Sequence, residues 1–326
     1  MSSIPASRYL IYPVPWYSVL IVTGIILAIV LALRSEKRYG LPKDTVVDLA
    51  LFVLPCGIIG ARIYYVLFSW NEFRNDLWSV LRIWEGGIAI YGAIIGGLAA
   101  LFVFCRRRKL SALLLCDLIA PGLALAQSIG RWGNWFNIEA FGLKVNNPSL
   151  CFFPLSVQVP ADGFSWHLAA FFYESAWDFA IFLFLIITRS HKLKEKGDII
   201  LFYAFLYAAG RLLIEETRLD SLYFASSVRV SQLLSVLICA AVLFRYILIA
   251  WSRRALSHLV MYLLIPLSFA GIAFAFLYSV AGSLFSSFSA FQILLLLAIS
   301  SCIMTICLFV VRFSPSYSRE VTYADD

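Results

Sequence analysis

The chain has 326 residues, 62% of them hydrophobic and 14% charged, with a formal net charge of +7 and a mean hydropathy of +0.87. A soluble globular domain carries roughly 25% charged residues, so most of this chain does not face water. Its apolar runs of about 18 or more residues are continuous rather than alternating, which excludes a strand barrel and sets the fold class as an all-α polytopic transmembrane bundle.

Nine spans are predicted, at roughly 16–33, 46–69, 86–104, 111–130, 168–188, 199–215, 230–250, 256–279 and 288–311. The first follows a segment whose one charge is Arg8 and has no small-residue cleavage site after it. It is expected to stay as a span rather than be removed as a signal peptide. The segments RSEKRYGLPK (34–43), CRRRK (105–109), RSHKLKEK (189–196) and RYILIAWSRR (245–254) fall on alternate turns and, with the tail, hold most of the Lys and Arg. The positive-inside rule then puts the N-terminus outside and the C-terminus in the cytoplasm. Topology accounts for the positive excess, and no nucleic-acid partner is expected. Residues 131–167, rich in Pro, Asn and Gly, read as a small ordered external element rather than a helix. The runs after 252 are plain in composition. They divide the chain into a seven-span body, 1–254, and an added transmembrane hairpin with a cytoplasmic tail, 255–326.

Ionisable residues inside spans cost at least about 2.5 kcal/mol at the bilayer centre and are candidates for function. Taken along the chain, Arg62 comes first, in GARIYY; a structural pairing and a lipid-phosphate contact are both open to it. IWEGGIAIYGAIIGG (83–97) brings Glu85 and Tyr91, with Gly92 and Gly96 as a GxxxG pair for close helix approach. In IGRWGNWFNIEAFG (129–142), Arg131 and Asn134 lie three apart on one helical face. Gly130 and Gly133 clear space there, and Glu139 is a potential partner for Arg131. Arg211, Glu215 and Arg218 follow at i, i+4, i+7, a helical stripe with one cation in excess. Together the arginines suit a phosphate, whose oxygens match guanidinium forks. A lipid headgroup is the simplest ligand, and the pattern alone fits a lipid-modifying enzyme, a lipid-binding scaffold or an anion transporter. The seven Cys fit neither a disulfide framework nor a zinc site, and no metal or cofactor is expected.

GRWGNWFNIEAFG (130–142) resembles the signature of the bacterial prolipoprotein diacylglyceryl transferase family, roughly Gly-Arg-x-Gly-Asn-aromatic-x-Asn-x-Glu with a Gly three residues later. WYSVLI (16–21), GARIYYVLF (60–68), WEGGIAIYGAIIGG (84–97), WHLAAFFYES (166–175) and GDIILFYAFLYAAGRLLIEETRLDSL (197–222) resemble further family blocks in the same order. The resemblance spans about residues 10–250. It implies transfer of a diacylglyceryl group from phosphatidylglycerol to the lipobox cysteine of a prolipoprotein signal peptide, at the outer leaflet of a bacterial plasma membrane among other membrane lipids. A thioether forms and glycerol phosphate leaves. Arg131 and Arg211 would meet the developing phosphate charge, with Glu215 and Glu139 orienting them and Arg218 and Arg62 adding charge. Asn134, Asn137 and Tyr17 would donate hydrogen bonds to the lipid, and Gly133 and Gly142 would allow close approach. Tyr91 stands where many members have a histidine regarded as a possible base. A phenol is a poor base at neutral pH, so the identity of the base is open. A weakened homologue acting as a lipid or prolipoprotein scaffold, or an anionic-lipid transporter, is the alternative.

Overall fold

Apolar runs rich in Leu, Ile, Val and Phe satisfy their own backbone in a membrane as helices, and the computed structural model shows them so. It describes residues 4–188, 196–219, 223–224, 228–252, 266–267, 270–276, 278 and 290–312. The long helices are α1 (Trp16–Glu36), α2 (Thr45–Phe68), α4 (Ile90–Arg108), α5 (Ala112–Asn137), α6 (Ala170–Thr188), α7 (Asp198–Ile214), α8 (Val230–Ser252) and α9 (Ala290–Arg312), with a single turn, α3, at Trp70–Phe73. Among the described residues, six helices are long and apolar enough to cross a membrane, and Leu295–Val310 is a shorter apolar stretch. The chain is a membrane protein. Seven predicted spans and the ninth coincide with helices; most of the eighth lies outside the described residues.

Two boundaries differ from the sequence expectation. The third span starts at Ile90 rather than 86, because Gly86 and Gly87 hold φ angles of +95° and +74° that a right-handed helix does not admit. The fourth runs past 130 to Asn137, so Arg131 and Asn134 sit on its last turns rather than in an external loop. The rest of 131–167 carries an antiparallel hairpin, β3 (Ser156–Val159) and β4 (Ser165–Leu168). Short hairpins also precede α1 (β1, Tyr9–Ile11; β2, Val14–Pro15) and α8 (β5, Tyr223–Phe224; β6, Val228–Arg229).

The chain forms two units, Ile26–Gly122 and the remainder. In Ile26–Gly122, α2 and α4 touch backbone to backbone. A Cβ on Gly92 would lie 2.3 Å from the Gly60 carbonyl oxygen, and one on Gly96 would lie 2.6 Å from that of Cys56. The GxxxG pair is thus a packing device, as small residues are in membrane interfaces. Leu49, Leu101, Phe104, Leu115 and Leu118 bury the core of this unit.

In the remainder, α7 packs on α6, α8 and α9 around Phe202, Phe205, Leu212, Tyr246, Met304 and Leu308, all essentially inaccessible. Two crossings set the register of its helices. Ser128 of α5 and Ser175 of α6 each donate a hydroxyl to the other's backbone carbonyl, at 2.9 and 2.8 Å. On α7, a Cβ at Gly210 would lie 2.0 Å from Nε1 of Trp177, so the missing side chain is what lets that indole lie on α7 and donate to the Leu206 carbonyl at 2.9 Å. The final helix is built into this packing: Phe309 meets Phe184 and Phe202 with ring centroids 5.5 and 5.6 Å apart, and Ser301 donates to the Ala209 carbonyl.

Candidate functional site

Beside these two crossings, three arginines converge on one carboxylate. Glu174, on α6 next to Ser175 and 4% exposed, takes Arg131 from α5 at 2.7 Å on Oε2. Its Oε1 takes Arg211 from α7 and, at 2.9 Å, Arg218 from the strand-like segment after α7. Arg211 also reaches Glu215, which is 1% exposed, at 2.8 Å. Charge pairs are stronger in such surroundings than in water, yet removing the ions from water costs several kcal/mol each. A cluster like this is weak as a stability device and well suited to holding positive groups in fixed directions. Arg131, Glu174, Asp178, Tyr207 and Arg211 line a small recess of about 10 Å³.

Arg218 reaches the cluster by a different route from the one its spacing suggests. α7 stops at Ile214, a 3-10 turn covers Glu215–Thr217, and Arg218 is extended (φ −90°, ψ 146°). It is the chain after the helix, not a continuous helical stripe, that returns its side chain to Glu174.

The segment after Arg131 is fixed on both sides. Gly142 donates its N–H to the Leu168 carbonyl at 2.7 Å, and Leu143 donates to the Thr217 carbonyl at 2.8 Å. The stretch therefore lies between β4 and the chain that carries Glu215 and Arg218. A Cβ on Gly142 would sit 2.4 Å from the Thr217 oxygen, which is why glycine stands here. His167 clasps the same point from the hairpin, its Nδ1 2.9 Å from the Gly142 oxygen and its Nε2 2.9 Å from Asp162 Oδ2. Hydrogen bonds from Ser165, His167 and Lys144 hold the Asp162 carboxyl well below the usual carboxylate range. Ile138 and Ala140 both adopt left-handed φ angles, 55° and 54°, a conformation that is costly for a β-branched residue. They flank Glu139 in the middle of the motif.

Of the predicted residues, Arg131, Arg211, Glu215 and Arg218 are brought together around Glu174. The expected Arg131–Glu139 pair is replaced: Arg131 turns to Glu174, while Glu139 is exposed and accepts from Asn137 Nδ2 at 3.2 Å. Asn137 in turn accepts from Arg8 Nε at 3.1 Å. Tyr17 lays its ring over Gly133, where a Cβ would be 2.5 Å from Cδ2. Asn134 lines a second small recess with Glu139 and Phe141.

Arg62 and Tyr91 belong to the Ile26–Gly122 unit. Of the two roles open to Arg62, the geometry favours the structural one. Its guanidinium donates to the carbonyls of Val80, Gly86, Gly87 and Ser79 at 2.6–2.9 Å, with a longer contact to Arg82 at 3.5 Å. That engages all five N–H groups in holding a turn, and the phosphate contact expected of Arg62 gives way to this role. Tyr91, at the second position of α4, is half-exposed with its ring 6.3 Å from that of Tyr64. Glu85 pairs with Arg82.

Glu174 and Asp178 are the residues that reading the sequence left out of the site. The signal was present: two acids four apart in FFYESAWDFAIF, within an apolar run. Among the described residues, no group of three or more His, Cys, Asp or Glu is arranged to hold a metal ion.

The family model described as prolipoprotein diacylglyceryl transferase matches residues 6–248. The chain is 44% identical over 233 residues to the phosphatidylglycerol–prolipoprotein diacylglyceryl transferase of Limosilactobacillus reuteri, covering 69% of this chain and 83% of that one. It is 40% identical over 250 residues to the protein of that name from Oceanobacillus iheyensis (74% and 85% covered). The one from Listeria monocytogenes is 41% identical over 229 residues (69% and 82% covered).

Proposed function

The chain belongs to the prolipoprotein diacylglyceryl transferase family, and on that premise we propose that it moves the diacylglyceryl group of phosphatidylglycerol onto a prolipoprotein. The acceptor is the thiol of the lipobox cysteine. Sulfur attacks the glyceryl carbon, the carbon–oxygen bond to phosphate breaks, and glycerol phosphate departs. The phosphate goes from one negative charge towards two, so the demand on the enzyme is positive charge fixed in advance where that charge develops.

The observation that carries the reading is the convergence of Arg131, Arg211 and Arg218 on Glu174 beside a recess. Glu174 keeps the guanidinium groups in place before lipid arrives, so the forks need no reorganisation at the moment of reaction. Glu215 orients Arg211 through its Nη2, while Glu174 holds Nη1. Asn134, Asn137 and Tyr17 donate to headgroup and glycerol oxygens, and Glu139 holds Asn137. Gly133 and Gly142 let the flanking chains approach. Tyr91 remains a candidate catalytic residue, at the position where many family members carry a histidine. Residues 1–254 form the catalytic body and 255–326 an addition to it. The protein sits in a bacterial plasma membrane with its N-terminus outside, its C-terminus in the cytoplasm and its site towards the outer leaflet. The test is purified protein with phosphatidylglycerol and a lipobox peptide. Glycerol phosphate release with a peptide heavier by one diacylglyceryl group supports the reading, and absence of both products overturns it.

A further inference from the structure

Removing the proton from the incoming thiol needs a base, and neither the arginine cluster nor a phenol supplies one. Asp178 lies one turn beyond Glu174 on α6, so the two carboxyls share a helix face. It is 2% exposed and lines the recess with Arg131, Tyr207 and Arg211. Its Oδ2 is buried and has no hydrogen-bond partner among the described residues. Buried polar atoms are satisfied as a rule, and an exception needs a reason. Glu174 and Glu215 are occupied by arginines; Asp178 has an acceptor oxygen left over beside the place where a lipid phosphate would be held.

We infer that Asp178 is the proton acceptor for the attacking thiol. The inference rests on the transferase reading. The S–H proton passes to a carboxylate oxygen of Asp178 as the sulfur forms its bond to the glyceryl carbon. The electrons of the broken carbon–oxygen bond leave with glycerol phosphate, now doubly charged, against Arg131 and Arg211. Asp178 then returns the proton to the departing phosphate or to water, and the site is restored. Asp178 is faced by Arg131 from α5, by Glu174 on its own helix, and by Tyr203, Tyr207 and Arg211 from α7.

The test uses the full chain, wild type and Asp178→Asn side by side, with phosphatidylglycerol and a lipobox peptide between pH 6 and about pH 9.5, bracketing the ordinary thiol range. Asn keeps the shape and removes the acceptor charge. Asp178→Asn is expected to lower kcat by about 10²–10⁴-fold near neutral pH, the usual range for loss of a general base, with the KM for phosphatidylglycerol within about twofold of wild type. The deficit shrinks as pH rises and the thiol ionises unaided, and Asp178→Glu recovers part of the rate. A wild-type kcat and pH profile in Asp178→Asn overturns the assignment. So does a deficit constant across pH and not relieved by Asp178→Glu, which is the mark of a packing role. An inactive wild type overturns the transferase reading itself, and the parallel assay distinguishes that failure from this one.

Discussion

Ser128 and Ser175 exchange hydroxyl-to-carbonyl hydrogen bonds across the crossing of α5 and α6, and this sets Arg131, one turn after Ser128, against Glu174, the residue before Ser175. A buried hydroxyl pair is worth about 1 kcal/mol per bond, small against the whole fold but applied where register matters. It follows that the chemistry is sensitive to helix packing that touches no substrate.

Glu174→Gln keeps the volume and removes the charge around which three arginines gather. Because the carboxylate competes with phosphate for the same N–H groups, its loss is expected to lower the KM for phosphatidylglycerol. The scattered guanidinium groups no longer meet the developing charge, and kcat falls by roughly 10²-fold or more. Steady-state kinetics check the split. A raised KM with unchanged kcat would mean that Glu174 serves binding alone.

Arg62→Ala should behave differently from any change in the cluster. Its guanidinium holds the Ser79–Gly87 turn through backbone carbonyls. Removing it leaves those partly buried acceptors without their donor, at a cost of about 1–3 kcal/mol each for those that water does not reach. The expected outcome is a lower melting temperature in detergent with kcat of the folded fraction within a few-fold of wild type. Loss of kcat at full stability would return Arg62 to the substrate.

Gly142→Ala places a methyl group 2.4 Å from the Thr217 carbonyl oxygen. Either β4 or the segment bearing Glu215 and Arg218 must shift, and the second shift withdraws a cation from Glu174. Turnover is expected to drop by at least about tenfold, since a displacement of roughly 1 Å costs up to 10²-fold in rate, while helix content by circular dichroism stays unchanged.

The hairpin clasp gives a pH dependence. The Asp162 carboxyl is held below its ordinary range by Ser165, His167 and Lys144, so its contribution to stability is complete above that range and is lost as pH falls through the depressed value. Asp162→Asn should therefore lower the melting temperature across the neutral range, where that contribution is complete, and converge with wild type as pH falls, so that the acid side of the profile flattens. Thermal melts from about pH 2 to pH 7, reaching well below the ordinary carboxylate range, read this directly.

Most of the helix pattern was legible because a membrane demands long apolar runs, and these stand out in composition alone. The end of α5 was not. Gly, Asn and Arg at 130–137 read as a loop, but a helix at a span end carries such residues when neighbouring elements take up their polar groups. The cations of the site were legible as charges out of place. Their shared partner was not, since Glu174 is 43 residues from Arg131 and 37 from Arg211 and only folding brings them together. Arg62 was ambiguous for the same reason: its carbonyl partners lie in a turn whose shape depends on Gly86 and Gly87.

The most direct test of the central claim, that clustered arginines stabilise the departing phosphate, is the single-turnover rate of glycerol phosphate release by Arg131→Ala at saturating phosphatidylglycerol. The expected result is a fall of roughly 10²–10³-fold, about 2.7–4 kcal/mol of transition-state stabilisation, in a protein that still inserts and melts cooperatively. A rate within a few-fold of wild type would contradict it.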